Sequence, residues 1–278
     1  MRKIGYSTSG FKDRDVESAM DTIAAIGFTH VEILGQEPHV AVIPKGKKLS
    51  NFRKRLESLN LSVSVHAPLK RNVLGAADEI WRREKVKILS NYICFAGEIG
   101  ADAIIIHPVP NPIFVPEPKD SILPQHMRDS AYRSLDELVP IAQKAKLCIL
   151  LENLPYLCNY PLLTMKELRP FVDLYPQEYV GLVIDIGHTR VHGDDIVEEI
   201  RIAGDRLYGT HLHDTDKEGT NDYHWVPTHG SLNWDIIRST LTEVKYTGVW
   251  TFEVNNGRFG ESPEELACIC HKLAIGWK

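Results

Sequence analysis

Three features are scarce in this chain of 278 residues, and each absence excludes something. No apolar stretch approaches the roughly 20 residues a membrane-crossing helix needs. The start, MRKIGYSTSGFKDRD, leads straight into a strand-like run with no apolar signal segment, so a cytoplasmic location is expected. Excess positive charge is also missing. A formal net charge of −5 gives no support to a broad, non-specific nucleic-acid surface. Cysteines are few and odd in number: Cys94, Cys148, Cys158, Cys268 and Cys270 do not make a disulfide framework. Cys94 and Cys148 lie in apolar segments and read as core thiols. What remains, 43% hydrophobic and 25% charged residues, is enough for an ordinary globular interior.

That interior is written as a repeat. Short apolar runs recur as KIGYSTS, THVEILG, LSVSVHAP, AIIIHP, LCILLEN, VGLVID, LYGTHLHD and VWTFEV, starting roughly 25 to 45 residues apart. Helical stripes separate them. Val16, Ala19, Met20, Ile23 and Ile26 share one face before Gly27, and Ile80, Val86, Ile88, Ile93 and Phe95 share another. Strands apolar throughout belong to a sheet covered on both faces. Eight even units predict an α/β protein, a single (β/α)8 TIM barrel domain over residues 1–278, in preference to an open doubly wound sheet. The segment VPNPIFVPEPKDSILPQ, 109–125, has prolines too dense for helix or central strand. It is expected to be a long loop at the barrel mouth, as a lid or a partner surface.

Nine metal-ligand side chains stand at or just beyond the ends of these runs: His66, His107, Glu152, Asp185, His188, His211, Asp222, His224 and Glu253. In a parallel barrel all carboxyl ends open on one face, so residues far apart in sequence converge there. Glu152, Asp185, His211 and Glu253 end strands five to eight. Together they can hold one divalent ion, zinc, manganese, cobalt or magnesium, with positions left for substrate. His66 and His107 can hold a second ion with Glu152 as bridge, or contact substrate. His188, Asp222 and His224 suit a third, or bind hydroxyls or phosphate. His213 is two residues beyond His211 and is expected to line the same pocket, with Asp214 orienting an imidazole. Arg190 is a loop candidate for substrate contact. His30, His39, His126 and His271 have no convergent partner.

The segments VHAP, IIHP, LLEN, VIDIGH, THLHD, DYH and FEV, in that order, resemble the xylose isomerase-like barrel superfamily, which includes sugar and sugar-phosphate isomerases and epimerases and endonuclease IV. The resemblance covers nearly the whole chain. It implies one to three divalent ions per chain. In the epimerase branch it implies proton transfer by Glu152 and Glu253 through a metal-stabilised enediolate, with His188, Arg190 and His213 on the substrate. In the endonuclease IV branch it implies three zinc ions on all nine residues and cleavage beside abasic sites in DNA. Leu69 replaces that branch's duplex-probing tyrosine, and THGSLNW replaces its Gly-Glu-Gly turn. HLHDTDKEGTNDYHWVPTHGSLNW instead resembles a pattern of the sugar isomerase-like proteins. The expected partner is therefore a small sugar or sugar phosphate, with nucleic acid as the alternative, no membrane, and a homodimer left open. The basic run Lys45, Lys47, Lys48, Arg53, Lys54 and Arg55 reads as a solvated helix face.

Overall fold

A computed structural model describes residues 3–69, 72–112 and 122–277. Eight parallel strands close a barrel in sequence order: β1 (Ile4–Ser7), β2 (His30–Leu34), β3 (Ser62–His66), β4 (Ala103–Ile106), β5 (Cys148–Glu152), β6 (Val180–Asp185), β7 (Leu207–Leu212) and β8 (Val249–Phe252). The last strand returns to pair with the first, Thr251 beside Gly5. The expected (β/α)8 TIM barrel is what the chain forms.

Helices α1 (Val16–Ile26), α2 (Lys47–Ser58), α3 (Glu79–Glu98), α4 (Leu123–Ala145), α5 (Met165–Val172), α6 (Ile186–His192), α7 (Ile196–Ala203), α8 (Trp234–Glu243) and α9 (Pro263–Gly276) surround it. Local chemistry sets their ends. Asp15 and Asp78 accept backbone N–H groups at the starts of α1 and α3, and Gly27 stops α1 at φ 111°. A reciprocal Ser262–Glu265 capping box opens α9. Among the described residues no helix is long and apolar enough to cross a membrane.

Two layers of packing result. Between barrel and helices lies the main core, with Ile33, Val65, Ile104, Leu151, Leu182 and Ile184 fully buried. Inside the barrel, Ile105, Leu150 and Val183 form a separate apolar cluster. They share a cavity of about 70 Å³ with His30, Glu32 and Ser64. One side of the barrel interior is therefore hydrocarbon and the other polar.

Several expectations need correction. Ile80 faces outward, 81% exposed, and Cys94 is also exposed on α3, so neither belongs to the core. Of the proline-rich segment, residues 113–121 lie outside the described residues. The part that follows is helical rather than loop, because α4 starts at Leu123 and Pro124 sits in its first turn, where a missing N–H has no helical partner to lose. A further helix, α6, follows β6 without a loop. Asp185 caps it, accepting the His188 N–H at 2.7 Å.

Candidate metal centre

Six strands deliver side chains to one point. His66, Glu152 and Asp185 are the last residues of β3, β5 and β6, His107 and Glu253 follow β4 and β8, and His211 is the penultimate residue of β7. Glu152 is the hub. Its Oε2 lies 3.0 Å from His66 Nε2 and 3.2 Å from His107 Nε2. Its Oε1 lies 3.1 Å from His211 Nδ1 and 3.4 Å from His188 Nδ1. Glu253 Oε2 is also 3.1 Å from His211 Nδ1. Three groups have donor atoms within 4.8 Å of one another: Glu152, Asp185, His211 and Glu253; His66, Glu152 and His211; and His188, His213, Asp222 and His224.

The imidazoles are fixed in two ways. Nδ1 of His66, His188 and His224 lies 2.8, 3.0 and 2.8 Å from the carbonyls of Ala67, Asn153 and Glu253. A ring that donates its Nδ1–H to a carbonyl presents Nε2 as the free lone pair. His211 is turned the other way. Its Nε2 lies 3.1 and 3.2 Å from the two oxygens of Glu32, so Nδ1 faces Glu152 and Glu253. Asn153 clamps the next strand, accepting the Asp185 N–H at 2.7 Å and donating to the Asp185 carbonyl and Thr189 hydroxyl. His224 adopts φ 51°, a left-handed conformation unusual outside glycine, which costs on the order of 1–3 kcal/mol and is held here by the two contacts of its ring.

Glu32, Glu152, Asp185 and Glu253 are buried and Asp222 nearly so, and the only ion-pair partners of all five among the described residues are imidazoles. Burial alone would raise each carboxyl. The opposing pull of His211 and His107 instead holds Glu152 well below the usual carboxylate range, and His224 and His188 do the same for Asp222. Burial likewise opposes protonation of the histidines. Even so, Glu32, Glu152 and Glu253 drive His211 well above its ordinary value, and Asp222 lifts His224 to about 9. Buried acids in this number require cations. Asp222 Oδ1, His107 Nδ1 and His213 Nδ1 are buried with no hydrogen-bond partner. Divalent ions would replace the imidazole protons and use such lone pairs, so the donor set fits them.

Not every candidate lands where the spacing predicts. His213 does not line the mouth. It is fully buried behind it, donating from Nε2 to Asp185 at 2.8 Å and stacking on His224 at 3.9 Å. It packs so closely on α6 that a Cβ at Gly187 would collide with its ring. Arg190 turns away, its guanidinium donating to the Lys217 carbonyl and lining a separate cavity with Asp195 and Asn233. Asp214 orients no imidazole; it accepts the Thr228, Ser231 and Leu232 N–H groups and the Trp234 indole, organising the β7–α8 loop. His39 lines the mouth, where it had no evident partner in the sequence.

The mouth cavity holds about 620 Å³ and contains His66, His107, Glu152, His188, Asp222, His224 and Glu253. That volume suits a small polar molecule. Around the candidate ligands stand Gln36, Leu69, Asn111, Asn255 and Lys12, which is the only lysine or arginine of the lining among the described residues. Lys12 donates to Asn255 Oδ1 at 3.2 Å, and burial lowers its pKa against the pull of Glu253. Lys12, Asn153 and Glu32 escape a reading of the sequence. Only Glu32 leaves a signal there, a charge in mid-strand within an otherwise apolar run.

Among known proteins, an uncharacterized protein of Methanocaldococcus jannaschii is 27% identical over 266 residues, covering 95% of this chain and 87% of its own. The fructoselysine 3-epimerase of Shigella flexneri is 23% identical over 258 residues, 91% of this chain and 90% of that protein. A crystal structure of the IolI protein with a bound zinc atom superposes with a TM-score of 0.82 at 17% identity, covering 100% of this chain and 98% of that one. The profile of the xylose isomerase-like TIM barrel matches residues 20–269. With the closed barrel and the histidines and acids gathered at its mouth, the match over nearly the whole repeat leaves one conclusion: the chain belongs to the xylose isomerase-like TIM barrel family.

Proposed function

We propose that this protein is a divalent-metal-dependent isomerase or epimerase of a sugar or sugar phosphate. The observation that carries the reading is the meeting of Glu152, Asp185, His211 and Glu253, donor atoms within 4.8 Å, directly beneath a cavity of about 620 Å³ that Glu152 and Glu253 line. These four residues would hold the ion, with zinc, manganese, cobalt and magnesium all compatible with a mixed oxygen and nitrogen set. When bound, such an ion supplies Lewis acidity, polarising a sugar carbonyl and acidifying the neighbouring C–H. Glu152 and Glu253 come from β5 and β8 and both line the cavity, so a substrate carbon between them meets one carboxylate on each face. One removes the proton and the other returns one. Glu152, held ionised by its imidazoles, has a free carboxylate form to accept a proton. His188 lines the cavity and would meet a substrate hydroxyl. Lys12 suits an anionic substituent such as a sugar phosphate. The similarity to a fructoselysine 3-epimerase supports epimerisation next to a ketose carbonyl.

A second reading has its own observation. His66 and His107 meet on Glu152 Oε2, and His188 and His224 meet on Asp222 Oδ2, so the nine residues that the resemblance assigns to a trinuclear zinc phosphodiesterase stand together. Such an enzyme would act at abasic sites in DNA. One experiment separates the two. The protein, loaded in turn with manganese, cobalt, magnesium and zinc, is incubated in D2O with ketoses and ketose phosphates. NMR then follows deuterium entry beside the carbonyl. Exchange that Glu152→Gln abolishes is the expected result. No exchange with any metal, together with incision of an abasic duplex, would replace the first reading by the second.

A further inference from the structure

At the mouth, His66, His188 and His224 are backed by backbone carbonyls, whereas His211 is backed by a carboxylate. That carboxylate, Glu32, belongs to β2, on the other side of the β8–β1 junction from β7. It is itself held from below. Ser64 Oγ donates to Glu32 Oε2 at 3.3 Å and lies 3.0 Å from His30 Nε2, while His30 Nδ1 lies 3.0 Å from Ser62 Oγ. With His30 donating from Nε2, the Ser64 proton is left for Glu32, and Glu32 accepts from Ser64 below and from His211 above. A hydrogen-bonded file of side chains thus descends through the polar half of the barrel interior, and its upper end is the far nitrogen of a candidate ligand.

The arrangement has an electrostatic consequence. A carboxylate on the outer N–H of a metal-binding imidazole fixes its tautomer and raises its basicity. At the Glu152, Asp185, His211, Glu253 centre this adds a fourth negative charge to three carboxylates. The His188, His213, Asp222, His224 group contains one carboxylate; His188 and His224 are backed by neutral carbonyls, and His213 leans on Asp185, an acid of the first centre. The His66–His107 pair has no acid of its own and shares Glu152.

We infer that Glu32, acting on the ion through His211, makes the Glu152, Asp185, His211, Glu253 centre the first site at the mouth to take up a divalent ion. Glu32 is a positioning residue; its hydrogen bond goes to the nitrogen of His211 that points away from the centre. The inference rests on the metal reading proposed above, but its test does not depend on turnover.

The full-length protein, stripped with chelator, is titrated with cobalt(II) and followed by its visible absorption and by calorimetry. The wild-type chain is expected to fill one tighter site before any other. Asp222→Asn should leave that first phase intact. Glu32→Gln keeps the shape and an acceptor but removes the charge, and should weaken the first phase about 10- to 100-fold while later phases stay unchanged. An unaltered first phase in Glu32→Gln, loss of the first phase in Asp222→Asn, or equal affinities throughout the wild-type titration would each overturn the inference. Should circular dichroism show Glu32→Gln unfolded, Ser64→Ala replaces it. That variant removes one hydrogen bond to Glu32 without touching His211, and an unchanged first phase there overturns the inference too. A wild-type chain that takes up no cobalt at all would instead overturn the metal reading itself, and this inference with it.

Discussion

His30 and His211 both point into the barrel, and both are buried, 2% and 0% exposed. Burial alone disfavours a charged ring at either place. At the lower end His30 meets the hydroxyls of Ser62 and Ser64, and burial takes its pKa down to about 4. At the mouth, burial acts on His211 in the same direction, yet Glu32, Glu152 and Glu253 reverse the outcome. Depth inside a barrel therefore does not make a reactive centre. What separates the two rings is direct contact with carboxylates, which His211 has and His30 lacks.

The largest test of that contrast is kinetic. Glu152→Gln should cut proton exchange into substrate by about 10²- to 10⁴-fold. His30→Gln, at the other end, should leave the rate within about threefold, since it removes no group that faces the cavity. Equal losses would erase the distinction between the two ends.

Acid sensitivity comes next. The folded-state pKa of His30 lies near 4 against an ordinary 6.5, so its contribution to stability is complete above about 6.5 and is lost as pH falls toward 4. Denaturant melts of wild type and His30→Gln should diverge by up to about 3 kcal/mol over that window, the wild type losing stability faster on acidification. Parallel curves would show that the ring is not held neutral.

Metal should act at the other end. Cobalt or zinc at about 100 times its dissociation constant should stabilise the wild-type fold by about 2.7 kcal/mol and His30→Gln by as much. His211→Ala should lose most of that gain, as read by thermal unfolding with and without chelator. The smallest effect belongs to Arg190, whose guanidinium faces a different cavity. Arg190→Met should shift substrate affinity by less than about 0.5 kcal/mol, and a larger loss measured by calorimetry would return it to the site.

The barrel and most of its mouth are legible in the sequence because a parallel strand buried on both faces gives each terminal acid or histidine a single reading. LLEN and TFEV cannot hide a carboxylate elsewhere without cost. Glu32 is not legible for the same reason turned round. In THVEILG both faces of the strand are covered, so alternation does not reveal which side the charge takes. His213 lies one residue beyond Leu212, where β7 ends, so strand alternation does not place it, and it joins His188, Asp222 and His224 rather than the cavity lining. Arg190 fails because α6 starts immediately after Asp185 and aims its side chains by helical rather than loop geometry. Asn153 and Lys12 are ordinary residues until the fold gives them neighbours.

The hydrogen bond between Glu32 and His211 joins positions 179 residues apart. A ribosome delivers Glu32 within the first two strands and Glu253 just after the last. No nascent fragment can assemble the four-residue centre, because its hub waits for His211 and His211 waits for the strand that seals the barrel. Only the four-residue centre waits for Glu253, so the pairing of β8 with β1 that closes the barrel also completes that centre.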